Sequence, residues 1–223
     1  MSTLAQPITI EVETDAAVSG LVLAPPDTRA CYVFAHGAGA GMAHAFMGTV
    51  AQGLAVRGIA TVRYQFPYME RGSKRTDTPA TAHKAVRAAV AHAAALFPAL
   101  PLFAGGKSFG ARMTSQAQAL APLPGVQGLA FVGFPLHPDG APSSERAQHL
   151  FDVKIPMLFV QGTKDKLAEF DRVQALVAQL GAMATLVPIE EADHSFHVLV
   201  RSGRNDGQVM QQVLDATAAW MLP

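Results

Sequence analysis

The chain has 223 residues, of which 50% are hydrophobic and 15% are charged, and Lys plus Arg and Asp plus Glu each number 17. This length supports one sizeable core, so we expect a single domain over residues 1–223. The zero net charge gives no reason to expect a nucleic-acid or membrane partner, and no apolar run approaches the ~20 residues of a membrane span.

The N-terminal stretch MSTLAQPITIEVET lacks the basic start and the apolar stretch of a signal peptide. The single cysteine, Cys31, cannot form an internal disulfide, which suits a reducing compartment. Its apolar surroundings predict a position in the core. We therefore expect a cytoplasmic protein that is a monomer or a small homo-oligomer.

Two segments that alternate apolar and polar residues open the chain, ITIEVET and SGLVLAP, and DAAV separates them. They predict an antiparallel pair at the edge of a sheet. The six later segments are short and almost continuously apolar, as in parallel strands buried on both faces. They are CYVFAHG, IATVRYQF, LPLFAGG, VQGLAFVGF, PMLFVQG and ATLVPI.

Helical patterns lie between these strands and after the last one, with Pro79 well placed in a first helical turn. The five segments are AFMGTVAQGLAVRG, TPATAHKAVRAAVAHAAALF, SFGARMTSQAQALA, AEFDRVQALVAQLG and DGQVMQQVLDATAAWML. A β pair followed by alternating β and α segments predicts an α/β fold. We expect a doubly wound, mostly parallel sheet of about eight strands with helices on both faces.

The stretch GGKSFG, residues 105–110, is compatible with two motifs. A phosphate-binding P-loop needs a glycine where this chain has Pro101, so the loop that would wrap the phosphates is missing. A nucleophile elbow needs small residues two before and two after its serine, between a strand and a helix. Gly106 and Gly110 meet that need, so the sequence favours Ser108 as a nucleophile over a structural turn serine.

A nucleophilic serine needs a base, and the base needs an acid that fixes its tautomer. With an elbow of this kind, the chain order is serine, acid, histidine. Asp165 follows the strand PMLFVQG and His194 follows ATLVPI, both at the carboxyl edge of the sheet, where open α/β folds bind ligands. The sequence therefore predicts a triad of Ser108, Asp165 and His194.

Two other carboxylates stay open as the acid: Asp193, adjacent to His194, and Asp139, beyond the sixth strand. His194 and His197 also form an H-x-x-H pair, which without a third ligand is a weak metal signal. We predict no metal and no organic cofactor. The remaining histidines of interest are expected outside the site, His83 and His92 on a helix surface and His149 in a loop.

The loop HGAGAGMAHAFM, residues 36–47, is predicted to form the second arm of the site. A tetrahedral intermediate needs two amide donors, one from the residue after the nucleophile and one from this loop. These donors are Phe109 and Ala38. The alternative, a dinucleotide loop, is disfavoured because Met42 stands where a third glycine is needed.

Further residues near the predicted mouth are candidates for substrate contact. The set is His36, Gly37, Gly39, Tyr68, Lys107 and His137. Lys107 and Arg112 are equally compatible with a substrate contact and with a structural role. Four basic residues in or after the fourth strand are candidates for attracting an anionic substrate: Arg63, Arg71, Lys74 and Arg75. For Arg71, Lys74 and Arg75, a solvated loop face is the favoured interpretation.

The order of the motifs HGAGAGM, RYQFPYME, GGKSFG, GFPLHP, VQGTKD and ADHSF resembles the small dienelactone-hydrolase-like branch of the α/β-hydrolases. More narrowly, it is similar to a family of bacterial α/β-hydrolases that includes a testis-expressed protein and a subunit of the nonspecific-lethal chromatin complex. The resemblance spans about residues 20–220. It implies a hydrolase fold and the Ser108, Asp165, His194 triad, but no particular substrate.

Dienelactone hydrolases proper have a cysteine nucleophile where this chain has Ser108, so carboxylester chemistry is the expectation that carries over. Many relatives place a helical cap between the sixth and seventh strands, whereas only about 20 residues lie there in this chain. We therefore expect no large cap domain and an open, shallow site for a small acyl substrate. The alternatives are a non-catalytic interaction protein on the same fold, and an acyltransferase or perhydrolase.

Overall fold

The computed structural model describes residues 4–222. Its strands form one sheet in the order β1-β2-β4-β3-β5-β6-β7-β8. The strands are β1 Gln6–Glu13, β2 Ala16–Leu23, β3 Ala30–Ala35, β4 Ile59–Tyr64, β5 Leu102–Lys107, β6 Val126–Val132, β7 Met157–Gly162 and β8 Ala184–Ile189. The pairs β1–β2 and β2–β4 are antiparallel and the others are parallel, which confirms the predicted fold class.

The helices lie on both faces of this sheet. They are α1 Ala45–Val56, α2 Pro67–Glu70, α3 Pro79–Leu96, α4 Phe109–Leu120, α5 Phe170–Leu180 and α6 Asp206–Met221. Three 3₁₀ helices cover Glu145–Asp152, Gly181–Met183 and Val200–Ser202. The sequence predicts the five longer α-helices. It misses α2 and the 3₁₀ helices because segments this short carry little periodicity.

The N-terminal edge differs in detail from the prediction. The turn is only Thr14 and Asp15, and the AAV of the predicted DAAV connection already belongs to β2. The reason is that alternation continues through this segment, since Val18 points inward and is 3% exposed while Ala16 is exposed. The predicted antiparallel pair at the sheet edge is confirmed.

Two hydrophobic clusters sandwich the sheet. One packs α3 and α4 against one face, and the other packs α1 and α6 against the opposite face. The strands β3, β4, β5 and β7 are buried along their whole length, as their apolar sequences predict, and Cys31 lies in the core as predicted. The prediction of two-sided burial is wrong for β8, in which only Ile189 is buried because this strand forms the other edge of the sheet.

The connection between β6 and β7 contains one 3₁₀ helix, Glu145–Asp152, and no cap domain. The carboxyl edge of the sheet is therefore not covered by an inserted domain. None of the helices in residues 4–222 combines the length and the apolar character needed to cross a membrane.

Candidate active site

The turn between β5 and α4 presents Ser108 in a strained backbone conformation, with φ 53° and ψ −112°. Non-glycine residues rarely adopt a positive φ, so the surrounding packing must hold it there. A Cβ atom on either Gly106 or Gly110 would overlap the carbonyl oxygen of Ala35 in β3. The two glycines thus let the turn pack directly on β3, which explains the small residues that the elbow pattern requires.

Ser108, His194 and Asp165 form one chain of hydrogen bonds. The Oγ of Ser108 lies 2.8 Å from Nε2 of His194, and Nδ1 of His194 lies 2.7 Å from Oδ2 of Asp165. With its proton on Nδ1, the ring donates to Asp165 and accepts from the Ser108 hydroxyl. The structure therefore brings together the three side chains that the sequence singles out, in a geometry suited to moving the serine proton.

The carboxylate of Asp165 is buried and held on both oxygens. Oδ2 also accepts from Nε2 of Gln161 at 2.6 Å, and Oδ1 accepts from the amide of Leu167 at 2.8 Å. Gln161 in turn accepts from the amide of Phe134 at 2.9 Å. Gln161 is not among the residues predicted from the sequence, although a glutamine near the end of the apolar run PMLFVQG indicates a polar side chain inside the core, and it is fully buried.

The competing assignments are not supported by the geometry. Asp193 accepts at Oδ1 from the amides of Ser195 and His197, at 2.8 and 3.0 Å, and so shapes its own loop. Asp139 is exposed, and the ring of His194 contacts Asp165 instead.

The H-x-x-H metal alternative is likewise not supported, because the two histidines have separate partners. Nδ1 of His197 lies 2.9 Å from a carboxylate oxygen of Asp206 at the start of α6. That hydrogen bond and the charge of Asp206 raise the pKa of His197. Within residues 4–222, no cluster of three or more potential ligands is placed to hold a metal ion.

Two backbone amides are available beside Ser108. Phe109 is the first residue of α4, so its N–H has no acceptor within the helix. Ala38 lies in the exposed part of the loop after β3. Among residues 4–222, neither amide donates a hydrogen bond to another protein atom. Both predicted oxyanion donors are therefore free of protein acceptors in this part of the chain.

His36 and Tyr68 support this loop, and the prediction that they contact substrate does not match their positions. Both are fully buried. Nδ1 of His36 donates to the Gly37 carbonyl at 2.7 Å, and Nε2 accepts from the amide of Phe66 at 3.1 Å. Burial lowers the pKa of His36 to about 4, although the hydrogen bond to Gly37 acts in the opposite direction. The low pKa keeps the ring neutral. The Tyr68 hydroxyl accepts from the amide of Gly39 at 2.9 Å.

His137 is also buried and does not reach the substrate side, contrary to prediction. Its Nε2 lies 2.6 Å from a carboxylate oxygen of Glu169, and its Nδ1 lies 2.7 Å from the Pro138 carbonyl. Its backbone amide donates to the Leu167 carbonyl at 3.1 Å. His137 thus fixes the loop that follows β7, which carries Asp165.

A cavity of about 380 Å³ opens at Ser108. Its lining is mostly apolar and consists of Gly37, Ala38, Ala40, His44, Phe46, Met47, Lys107, Ser108, Leu167, His194 and Ser195. Of the six residues predicted to contact substrate, Gly37 and Lys107 belong to this lining. A second apolar groove of similar size lies far from this site, between β1, β2 and the end of α3, and contains none of the triad residues.

The remaining candidates have structural partners or lie in solvent. Arg63 is buried and donates to the Met42 carbonyl at 3.1 Å, and Arg71 pairs with Asp77 at 2.7 Å. Arg112 packs over the ring of Phe109, while Lys74 and Arg75 are exposed.

His149 was predicted to be a loop residue, which is wrong. It lies in the 3₁₀ helix Glu145–Asp152, and its Nε2 is 2.8 Å from Oγ of Ser115 in α4. His83 lies in α3 as predicted, although it is half-buried and faces Gln116 at 3.3 Å.

The sequence and the fold of this chain are similar to those of known hydrolases. The model of a family described as an alpha/beta hydrolase domain matches residues 28–222. Among solved structures, the protein XC6422 from Xanthomonas campestris, described as an α/β serine hydrolase without lid, is 21% identical. The match covers 100% of this chain and 98% of that chain, with a TM-score of 0.75.

Two further solved structures share the fold. A dienelactone hydrolase from Anabaena variabilis is 22% identical, with 97% of this chain and 96% of that chain covered and a TM-score of 0.76. The esterase domain of a Rhodothermus marinus protein is 17% identical, with 97% of each chain covered and a TM-score of 0.70. The narrower likeness to the testis-expressed protein and the chromatin-complex subunit stays a prediction.

Proposed function

Since this chain belongs to the alpha/beta hydrolase domain family, we propose that it is a serine hydrolase that cleaves a small carboxylic ester or a related acyl compound. The observation that carries the proposal is the chain of hydrogen bonds from Ser108 through His194 to Asp165, at 2.8 and 2.7 Å. It opens onto a mostly apolar cavity next to two amides that have no protein acceptor within residues 4–222. This arrangement supports the proposed roles of nucleophile, base and oxyanion site.

In the proposed mechanism, Oγ of Ser108 attacks the acyl carbonyl while its proton passes to Nε2 of His194. Asp165 stabilises the imidazolium that forms and keeps the ring in the required tautomer. His194 then gives the proton to the leaving alcohol oxygen, which leaves an acyl-enzyme on Ser108. Water attacks that ester with His194 as base, and the acid product departs as the serine hydroxyl is restored.

The amides of Ala38 and Phe109 are proposed to bind the oxyanion of both tetrahedral intermediates. Such a donor contributes about 3–4 kcal/mol to transition-state stabilisation in enzymes where one has been removed. His36 serves this step indirectly, because its bond to the Gly37 carbonyl fixes the loop that carries Ala38.

The size of the cavity favours a small substrate. A volume of about 380 Å³ is near the lower end of the range for ligand pockets. The lining includes side chains of alanine, phenylalanine, methionine and leucine and is mostly apolar, which suits an apolar acyl group. Two structural neighbours, an esterase domain and a dienelactone hydrolase, are consistent with ester or lactone chemistry. We further propose a cytoplasmic location, no partner besides the substrate, and a monomer or small homo-oligomer.

A fluorophosphonate probe followed by intact-mass measurement tests the proposal. We expect one adduct per wild-type chain and none on Ser108→Ala. Ser115→Ala is a matched control, because Ser115 also contacts a histidine nitrogen, that of His149 at 2.8 Å, but is fully buried. It should be labelled like the wild type. A folded wild-type protein without an adduct would contradict the proposal and favour a non-catalytic interaction protein.

A further inference from the structure

Lys107 is a buried cation directly next to the proposed nucleophile. It ends β5, and its residue surface is only 9% exposed. Burial of an ammonium group is costly unless it is paired, and within residues 4–222 no carboxylate forms an ion pair with it. A methionine would fill a similar volume without the free-energy cost of burying a charge. The presence of a lysine here is therefore not explained by the stability of the fold.

The ammonium group has one hydrogen-bond acceptor among the described residues. Nζ of Lys107 donates to the backbone carbonyl of His194 at 2.6 Å, across 87 positions of sequence. Among residues 4–222, no other group donates to that carbonyl. A hydrogen bond from a charged donor in a low-dielectric site is about twice as strong as a neutral one.

Two aromatic rings and a glycine surround Nζ of Lys107. The ring centroids of Phe46 and Phe196 lie 5.9 and 5.6 Å from Nζ, within the range of cation–π attraction. On another side lies Gly133, with φ 70°, where a Cβ atom would stand 2.8 Å from Nζ. The ammonium position is thus defined from several directions.

The loop that carries His194 needs such a contact. It follows β8 and contains two non-glycine residues with positive φ, Glu191 at 61° and Phe196 at 62°. Residues of this kind hold such conformations only when tertiary contacts impose them. Lys107, which directly precedes Ser108 in the chain, supplies one of these contacts.

We propose that Lys107 is a positioning residue, which holds the backbone of His194 so that the imidazole stays between Ser108 and Asp165. The proposal rests on the proposed serine hydrolase function. It replaces the expected substrate contact by Lys107, because the ammonium group is directed at the His194 carbonyl. An error of about 1 Å in the position of a catalytic group lowers rates about 100-fold, so this tether matters for turnover.

The proposal has a pH signature. Burial lowers the pKa of Lys107 to about 8, while the carboxylates of Asp165 and Asp193 act in the opposite direction. These two carboxylates, the His194 carbonyl and the rings of Phe46 and Phe196 are the groups that face Nζ. Above pH 8 the amine loses its charge and the bond to His194 weakens. Activity should therefore fall several-fold above pH 8, and it should not fall in Lys107→Arg, whose guanidinium stays protonated.

The test compares Lys107→Met and Lys107→Arg with Lys84→Met, a control at an exposed lysine that pairs with Glu13 at 2.6 Å. The readouts are kcat and KM for p-nitrophenyl acetate from pH 6 to 10, and amide hydrogen exchange of residues 190–198. For Lys107→Met we expect kcat to fall about 10- to 100-fold with KM within about twofold, and faster exchange in this loop. Lys84→Met should behave like the wild type.

Several outcomes overturn the proposal: wild-type kcat in Lys107→Met, a raised KM with unchanged kcat, or the same alkaline decline in Lys107→Arg as in the wild type. Lys107→Met removes a buried charge and should keep its unfolding temperature. If it does not fold, the pH profile of Lys107→Arg decides. If the wild type itself neither turns over nor reacts with the fluorophosphonate, the proposed function fails. Hydrogen exchange then still tests the tether, and unchanged exchange in the variants contradicts it.

Discussion

The elbow at Ser108 and the loop that carries His194 are both strained, but they are held in different ways. The elbow rests on backbone packing, because Gly106 and Gly110 lie directly against Ala35 of β3. The histidine loop instead rests on hydrogen bonds from distant residues, among them Lys107. A serine fixed by packing thus faces a histidine fixed by polar contacts. Substitutions that disturb the packing and substitutions that disturb the polar contacts should therefore change different measured properties.

The largest expected effect comes from the carboxylate that orients the histidine. Asp165→Asn keeps the shape of the side chain but favours the wrong tautomer of His194. We expect kcat for p-nitrophenyl acetate to fall about 10⁴-fold. Asp139→Asn serves as the control at an exposed carboxylate near the same edge of the sheet and should keep wild-type kcat. Equal losses in the two variants would contradict the assignment of Asp165.

Gly110→Ala tests the packing that holds the elbow. The added Cβ would overlap the Ala35 carbonyl oxygen, so the helix must shift away from β3. We expect a loss of about 1–3 kcal/mol in the free energy of unfolding, measured by urea titration, together with slower fluorophosphonate labelling. Gly125→Ala is the control, since a Cβ there meets no atom within 4 Å. Its φ of 77° makes it mildly destabilising, but labelling should be unchanged. Normal labelling of Gly110→Ala would show that the packing does not hold the serine.

His36 tests the polar support of the oxyanion loop through acid stability. Its pKa is lowered from 6.5 to about 4 on folding, so the unfolded chain binds more protons between these two pH values. The resulting stability is present above pH 6.5 and is lost as the pH falls toward 4. We expect the wild type to lose about 2–3 kcal/mol relative to His36→Gln over this range, measured by urea titration. Parallel stability curves would contradict the buried neutral ring.

Lys107 should give a further effect on stability, which appears only at alkaline pH. Its pKa falls from 10.5 to about 8 on folding, so the unfolded chain again binds more protons between these values. The free energy of unfolding of the wild type should therefore rise with pH in this window relative to Lys107→Met, by about 1–3 kcal/mol. Other titrating groups cancel in the difference. If the difference in unfolding free energy between the wild type and Lys107→Met falls or stays flat with pH, Lys107 is not a buried ammonium with a lowered pKa.

The same contrast explains how much of the molecule could be predicted from the sequence. The sheet, the five long helices and the elbow depend on local patterns, such as the apolar run LPLFA followed by GGKSFG. The supporting contacts do not. Lys107 and His194 are 87 positions apart, and His137 and Glu169 are 32 apart. No local pattern indicates which polar side chain finds which distant partner.

His36, Tyr68 and His137 illustrate the resulting error. Polar residues that lie next to a predicted site are natural candidates for substrate contact, yet these three side chains bond to backbone groups or to a carboxylate. Since buried polar groups must find partners, these buried side chains bond to nearby backbone groups or to a carboxylate. Only the folded arrangement distinguishes support from contact.

The proposed function depends above all on Ser108 being an activated nucleophile. The most direct test is to label the purified wild-type protein with a fluorophosphonate, digest it and map the modified peptide by mass spectrometry. We predict one stoichiometric adduct, on Ser108, whose formation slows strongly in Asp165→Asn. A folded protein with no adduct, or with its adduct on another residue, would contradict it.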